Sequence, residues 1–538
     1  MKASRLFGAA STASALFFVA MAWVTFARLR YPYDLEWMEG GVLDQAARFA
    51  SGADPYPAPS STFVPFLYPP LYPWLVATLG ALGGGVSYGL ARGISAFATI
   101  VTMGLGARAV FRLTGRPELG LLTIGLMSAL YSYAGSFQDL ARPDALAMAL
   151  VMAGAVVAVD ATPGRAVSAG LLLAAACFAK QTAFIAAVGV LAGVWLTQGT
   201  RRAATIAVTA SVAGGVVFTW WQLATQGRFA LYVVKGHRAH RFYRDNFGFY
   251  FYRDALHIAP LVLLAPLAWL RRTMRGSSLP LLLAAHLTAT VVQRFVMTRD
   301  LPHMYFRDLW YPHPTWAVPV VVIAALFVVL DRSTRGVAPK EPPAHLVYWG
   351  AVFLGGLFAS AFGHSTQWAY KNSLLPLATV AVPFVVLSLH ALTDGGRAQR
   401  ATLLAAAAVA VQLVALVESP ARLAPGPDDA AGWEALRARL ARVPGETMVL
   451  GHPFFDRARG ASPHLHGMGV ADMAALGGVP DFDARLARHD WAAIVVDVGD
   501  GMGVPPNVAR YYRLAERMPT PRMRTGSLAA PSELWVPR

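Results

Sequence analysis

The chain has 538 residues, of which 56% are hydrophobic and only 14% charged, with a net charge of +16. An average soluble domain carries about 25% charged residues, so this composition excludes an ordinary soluble enzyme, a disordered chain and a fibrous protein. What remains is a polytopic membrane protein, whose positive charge marks cytoplasmic anchoring and lipid phosphates rather than nucleic acid. The single cysteine, Cys177, lies in an apolar run and excludes an intrachain disulfide.

Basic residues Lys2 and Arg5 precede an apolar run to about Ala27, followed by Arg28, Leu29 and Arg30 rather than a small-residue cleavage site. The run is long enough to cross the bilayer and reads as an uncleaved first span entering from the cytoplasm. Further apolar segments fall near 88–111, 119–135, 145–160, 166–179, 182–198, 203–224, 256–270, 278–295, 315–330, 345–362, 374–392 and 401–417. This makes about 13 transmembrane helices, with 166–179 and 182–198 short enough to be one broken span. Arginines cluster in alternate short loops: Arg108, Arg112 and Arg116, then Arg165, Arg201 with Arg202, Arg271 with Arg272, Arg332 with Arg335, and Arg397 with Arg400. By the positive-inside rule these loops are cytoplasmic. Counting Tyr68–Leu82 as a span would put Arg108–Arg116 outside, so that stretch is expected to lie on the outer surface as an interfacial helix. Long outer segments then cover 28–87 and 225–255.

Pro420, Pro425 and Pro427 mark a linker, after which the composition becomes that of a soluble domain. A helix is expected over Trp433–Val443, with strands at Thr447–Gly451 and Ala492–Asp497. The expected organisation is therefore a transmembrane domain, 1–418, and a small α/β domain, 428–538, on the outer side.

Chemistry concentrates in the outer segments. Asp34, Glu36 and Glu39 lie within six positions of one another, beside Tyr33, Trp37, Met38, Gly40 and Gly41. On a helix Glu36 and Glu39 would share a face. Such a cluster can supply a general base, a cation site or both; a solvated acidic loop is the plainer alternative. The prolines around Pro55–Pro70 exclude a long helix there. The next outer loop holds Asp139, Arg142 and Asp144, the last placed after Pro143 where it could simply cap a helix. Lys180, followed by Gln181, interrupts an apolar stretch; it either snorkels or pairs with a lipid phosphate or a carboxylate. His237, Arg238, His240, Arg241 and Arg244 crowd one outer segment among aromatics. Basic residues there suit a phosphate-bearing ligand or anionic headgroups. The two histidines lack a third ligand nearby in sequence, which disfavours zinc.

In order and spacing these residues resemble the GT-C superfamily of membrane glycosyltransferases, nearest in pattern to the protein O-mannosyltransferase and lipid A aminoarabinose transferase group. Glu39 matches the acidic motif of the first loop and Gly52 its turn. Tyr68-Pro69-Pro70-Leu71 matches the segment that opens the interfacial helix, and Arg142-Pro143-Asp144 the second-loop motif. Gly170-Leu171 with Lys180, and Tyr370-Lys371-Asn372 before Leu374, match later elements. The usual Asp-Glu pair is Met38-Glu39 here, and the usual histidine is Tyr68. The resemblance implies an inverting transferase that takes a hexose or pentose from a polyprenyl-phosphate donor to a lipid, glycan or protein acceptor. It would act at the outer face of a bacterial inner membrane, in contact with membrane lipids and no nucleic acid. Glu39 is then the expected base, with its pKa raised beside Trp37 and Met38. Asp34 and Glu36 assist, and Gly40-Gly41 leaves room for substrate. Asp139, Arg142, Asp144, Lys180, Gln181, Tyr68, His237, His240 and the arginines Arg238, Arg241 and Arg244 bind substrate. No organic cofactor is implied; magnesium or manganese at Asp34, Glu36 and Asp144 is an open alternative. A lipid flippase or a non-catalytic assembly protein would use the same topology. No internal repeat favours the transporter.

Overall fold

A computed structural model describes residues 2–249, 343–393, 406, 409–410, 412–414, 416–499, 502–519 and 521–538. The expected spans at 256–270, 278–295 and 315–330, and most of 401–417, lie outside them. Among the described residues, five helices are long and apolar enough to cross a membrane: Gly8–Leu29, Tyr88–Thr114, Thr200–Ala224, Ala344–His364 and Lys371–Ala391.

The first of these belongs to α1 (Lys2–Leu29). After an irregular turn come α2 (Glu39–Ala50) and α3 (Leu71–Leu82), then α4 (Tyr88–Thr114). Shorter apolar helices follow: α5 (Pro117–Ala129), α6 (Asp144–Ala158), α7 (Pro163–Ala179) and α8 (Ala183–Gln198). Helix α9 (Thr200–Ala224) precedes the undescribed segment, and α10 (Ala344–His364) and α11 (Leu375–Thr393) follow it. Segments 166–179 and 182–198 are thus two helices rather than one, parted at Lys180–Thr182, with α7 packing between α6 and α9 while α8 crosses α10.

Small residues let these helices approach closely, as expected where hydrocarbon offers no hydrophobic drive between them. A Cβ on Gly189 of α8 would lie 2.6 Å from Gly355 Cα of α10, and one on Gly125 of α5 would lie 2.0 Å from Ser14 Oγ of α1. Phe97, Phe111, Phe184 and Trp195 stay exposed among the described residues, which suits a lipid-facing surface.

The C-terminal segment begins with α12 (Pro427–Leu440), whose Trp433 is fully buried. Its sheet has strand order β1-β2-β4-β3, formed by β1 (Thr447–Val449), β2 (Ala493–Val498), β3 (Tyr512–Arg517) and β4 (Ala530–Pro537). β1 and β2 are parallel, and the remaining pairs are antiparallel. Helix α13 (Gly467–Met473) lies between β1 and β2 in the chain and buries Met468, Gly469, Asp472 and Met473.

The three segments expected outside converge on one face. Leu465 N donates to Ser61 O (3.0 Å), and Ser61 N donates to Asp481 (2.7 Å). Arg228 reaches Asp54 (2.9 Å), and Tyr232 donates to Pro57 O (2.7 Å). At the opposite helix ends Gln198 donates to Ala158 O (2.8 Å), and Arg202 to Ala161 O. Reporter fusions at Pro420 and at Gly199 are therefore expected to report opposite sides of the membrane. The same sidedness at both sites would overturn the assignment.

Candidate active site

The second outer loop turns at Gly135, whose φ is +70° and whose missing Cβ leaves room for Lys371, 2.6 Å away. Any larger residue would push apart the loop and the segment that carries Asn372. Asp144 then begins α6, yet its side chain caps nothing; the capping alternative is replaced by ion pairing. One oxygen accepts from Lys180 Nζ and from Asn372 Nδ2 (3.0 Å), the other from Arg142 Nε (3.4 Å). Lys180 thus has the carboxylate partner that its place between apolar runs demands. Arg142 also donates to Glu36 (2.9 Å) and to the Tyr68 hydroxyl (2.7 Å).

These groups edge a cleft of about 860 Å3, open solvent at its mouth included. Tyr68, Arg142, Asp144, Lys180 and Asn372 line one part, joined by His237 and His240. Met148, Ala359, Leu375 and Pro376 supply an apolar wall from the membrane helices. Trp368 lines the cleft with φ +64°, a left-handed backbone that a bulky residue rarely adopts and that concentrates at functional sites. From the C-terminal segment come Met468 and Asp472, the latter paired to His240 Nε2 at 2.9 Å. Burial, together with His240 and Lys180, lowers His237 to about 4, so this imidazole is neutral near pH 7.

The three first-loop carboxylates stand elsewhere. Glu39 opens α2, whereas Glu36 precedes it, so they share no helical face. None of the three lines the cleft, and each is buried against its own cation. Glu39 forms a two-point pair with Arg92 of α4, at 2.9 and 2.6 Å, and also accepts from the backbone of Leu35 and Ala141. Burial pushes its carboxyl up, but Arg92 and these N–H donors outweigh it and hold Glu39 below the usual range. The expected upward shift is reversed, because Trp37 and Met38 are not its decisive neighbours. Asp34 pairs with His452 of the C-terminal segment (2.7 Å). Burial raises Glu36 to about 7 despite Arg142 beside it, and Gly526 of the C-terminal segment closes over its side chain. Nor do Gly40 and Gly41 leave substrate space: a Cβ on Gly41 would meet Phe66 at 2.3 Å, and one on Gly40 would meet Asp34 at 3.2 Å.

The other expected contacts divide in the same way. Asp139 is buried against Arg28, Thr25 and Tyr131 and frames the loop. Gln181 donates to Leu67 O (2.7 Å) and steadies the residue before Tyr68. Arg238, Arg241 and Arg244 are exposed and do not line the cleft. At Asp34, Glu36 and Asp144, the open alternative for magnesium or manganese, each carboxylate is instead paired with a protein cation. Their charges are met by His452, Arg142 and Lys180, and no metal-holding group of three occurs among the described residues.

Asn372, Asp472 and Arg92 were not singled out as functional from the sequence. Arg92 had a legible signal, a charge inside an apolar span that requires a partner. Asp472 had none, since it is an ordinary acid in a short helix.

No protein-family model matches the chain, and no curated protein does. Among solved structures it is similar to ArnT from Cupriavidus metallidurans bound to undecaprenyl phosphate, at 12% identity and TM-score 0.49, over 96% of this chain and 97% of that one. It is likewise similar to the same protein in the apo state, at 17% identity and TM-score 0.46, over 97% and 98%. An Archaeoglobus fulgidus oligosaccharyltransferase in complex with zinc and sulfate is similar at 11% identity and TM-score 0.46, over 97% and 73%.

Proposed function

We propose that the chain is an integral-membrane, inverting glycosyltransferase. It moves a sugar from a polyprenyl-phosphate donor to an acceptor hydroxyl on the outer face of the bacterial inner membrane. One observation carries the reading: Lys180 and Arg142 are fixed around Asp144 in a cleft whose other wall is apolar helix surface. A lipid phosphate needs both, cations for its head and hydrocarbon for its tail. The sequence motifs that resemble the GT-C transferases supply Tyr68, Arg142, Asp144, Lys180 and Asn372 of this same cleft.

The acceptor hydroxyl loses its proton and attacks the anomeric carbon from the face opposite the phosphate. The sugar–phosphate bond breaks, and the lipid phosphate leaves with the electron pair. Lys180 and Arg142 stabilise the charge that builds on it, from positions set before the reaction begins. Asp144, holding both cations in place, is the residue that orients them. Asp34, Glu36 and Glu39 stand behind the cleft and brace it.

The test is binding of undecaprenyl phosphate to the purified full-length protein in detergent. Lys180→Met is expected to weaken binding by roughly tenfold or more through loss of one charge-assisted contact. Arg241→Ala, on an exposed residue, is expected to leave it unchanged. Equal binding by the wild type and Lys180→Met would remove the phosphate site from this cleft.

A further inference from the structure

We infer that the C-terminal segment completes the active site: Asp472 takes the proton of the acceptor hydroxyl, and His240 positions it. This deepens the glycosyltransferase reading and rests on it. The inference starts from placement. Asp472 lies on α13 yet lines the same cleft as Lys180 and Asp144, while His240 comes from the segment that follows α9. Residues 232 positions apart in the chain thus meet at one site.

The helix that carries Asp472 is fixed. Gly467 N donates to Leu450 O (2.8 Å), at the end of β1. His466, just before the helix, accepts from Met468 N (2.9 Å), and its other ring nitrogen lies 3.0 Å from Trp37 O. The same ring packs against Trp37 and Phe66, with centroids 5.3 and 5.0 Å away. A Cβ on Gly469 would lie 2.7 Å from Val64, so helix and first loop are in direct contact. A side chain on this helix is held to the cleft by the first loop itself, which is what a proton acceptor requires.

Two carboxylates line the cleft among the described residues, and their surroundings separate their roles. Asp144 accepts from Lys180, Arg142 and Asn372, so its lone pairs are committed to holding cations. Asp472 has one partner among the described contacts, His240 Nε2, and retains an acceptor oxygen for a hydroxyl. Burial raises its carboxyl above the usual range, with His240 opposing, and a carboxylate so shifted is a stronger proton acceptor than a solvated one. In the transfer step the acceptor O–H bond breaks and its proton goes to an Asp472 oxygen. The acceptor oxygen bonds the anomeric carbon, and the polyprenyl phosphate departs with the electrons of the broken C–O bond. The proton then passes to solvent, and the carboxylate is restored.

The experiment uses the full-length protein. Cells lacking the gene are complemented with each variant, and the envelope glycans are compared by mass spectrometry; the purified variants are assayed for undecaprenyl phosphate binding and thermal melting. Asp472→Asn is expected to lower product about a hundredfold or more, the usual scale for a lost general base, with binding and melting kept. Asp472→Glu, which keeps a proton acceptor, should restore part of the product. His240→Ala should lower product with undecaprenyl phosphate binding and melting kept, and His240→Gln, which keeps a hydrogen-bonding group beside Asp472, should recover part of the loss; no loss in His240→Ala overturns its positioning role. Full product from Asp472→Asn overturns the inference. So does loss of undecaprenyl phosphate binding in that variant, which would make Asp472 part of the donor site. Failure of the glycosyltransferase reading looks different: the wild type itself would then neither bind undecaprenyl phosphate nor change the envelope glycans.

Discussion

Replacing Glu39 with Gln while Arg92 stays is expected to destabilise the protein by roughly 3–5 kcal/mol, the scale for breaking one side of a buried ion pair. Both side chains are fully buried, and Glu39 Oε2 accepts at once from Arg92 Nη2 (2.6 Å) and Leu35 N (2.8 Å). An amide keeps one accepting oxygen but turns an NH2 group toward donors on the other side, and leaves the guanidinium without its counter-charge. Arg92 also donates to the carbonyls of Arg28, Tyr31 and Tyr33, so the pair ties α1, the first loop and α4 together. Glu39 Oε1 further holds Ala141 N (2.8 Å), the residue before Arg142, so the cleft should loosen with it. Melting in detergent checks this. Adding Arg92→Met to Glu39→Gln should recover only part of the loss, because it removes the orphaned charge but leaves the carbonyls of Arg28, Tyr31 and Tyr33 without their donor. A Glu39→Gln variant that melts like the wild type and yet transfers no sugar would return Glu39 to the role of base.

The contrast between Glu39 and Asp472 shows what was readable before the structure. Tyr68, Arg142, Asp144, Lys180, His237 and His240, spread over some 170 positions, do meet in one cleft, because motif order carries information about the path of the chain. The first-loop acids lie outside that cleft, and a carboxylate's role is set by its partners. These are Arg92, Arg142 and His452, all far away in sequence. Spacing within the loop contains no trace of them. Strands β1 and β2 are apolar runs and were legible. β3 exposes Arg513 and Arg517, and β4 contains Pro531 and Pro537, so neither shows an apolar run or clean alternation. The grip of the C-terminal segment on the first loop was invisible for the same reason as the ion pairs: it depends on contacts more than 400 residues apart.

That grip is expected to weaken as pH rises, and His452 is the reason. Its ring is fully buried between Asp34, 2.7 Å from Nδ1, and Asp497, 3.4 Å from Nε2, with the Trp433 ring edge-on at 4.8 Å. Burial alone would lower the imidazole, but Asp497 and Asp34 overcome it and raise it to about 10, so it is the cation of a three-group cluster at neutral pH. A histidine raised above its ordinary value of 6.5 contributes stability that is complete below pH 6.5 and lost as pH climbs through about 10. Asp34 acts in the same sense: burial raises its carboxyl despite His452, so falling pH does not loosen the contact on its account. Above pH 10 two carboxylates would face each other across a neutral ring, with Glu39 adding to the charge pressure on the fully buried Asp34 and no room to solvate it. Proteolysis within 419–427, and hydrogen exchange of β1 expressed as protection relative to the intrinsic base-catalysed rate at each pH, should therefore show progressive loss of protection from pH 6 to 10 in the wild type. His452→Gln removes the cation at every pH and should release the contact by about 3–5 kcal/mol already at pH 7, with the alkaline rise abolished. Equal protection at pH 6.5 and pH 10 in the wild type would show that Asp34, His452 and Asp497 do not hold the two parts together through charge.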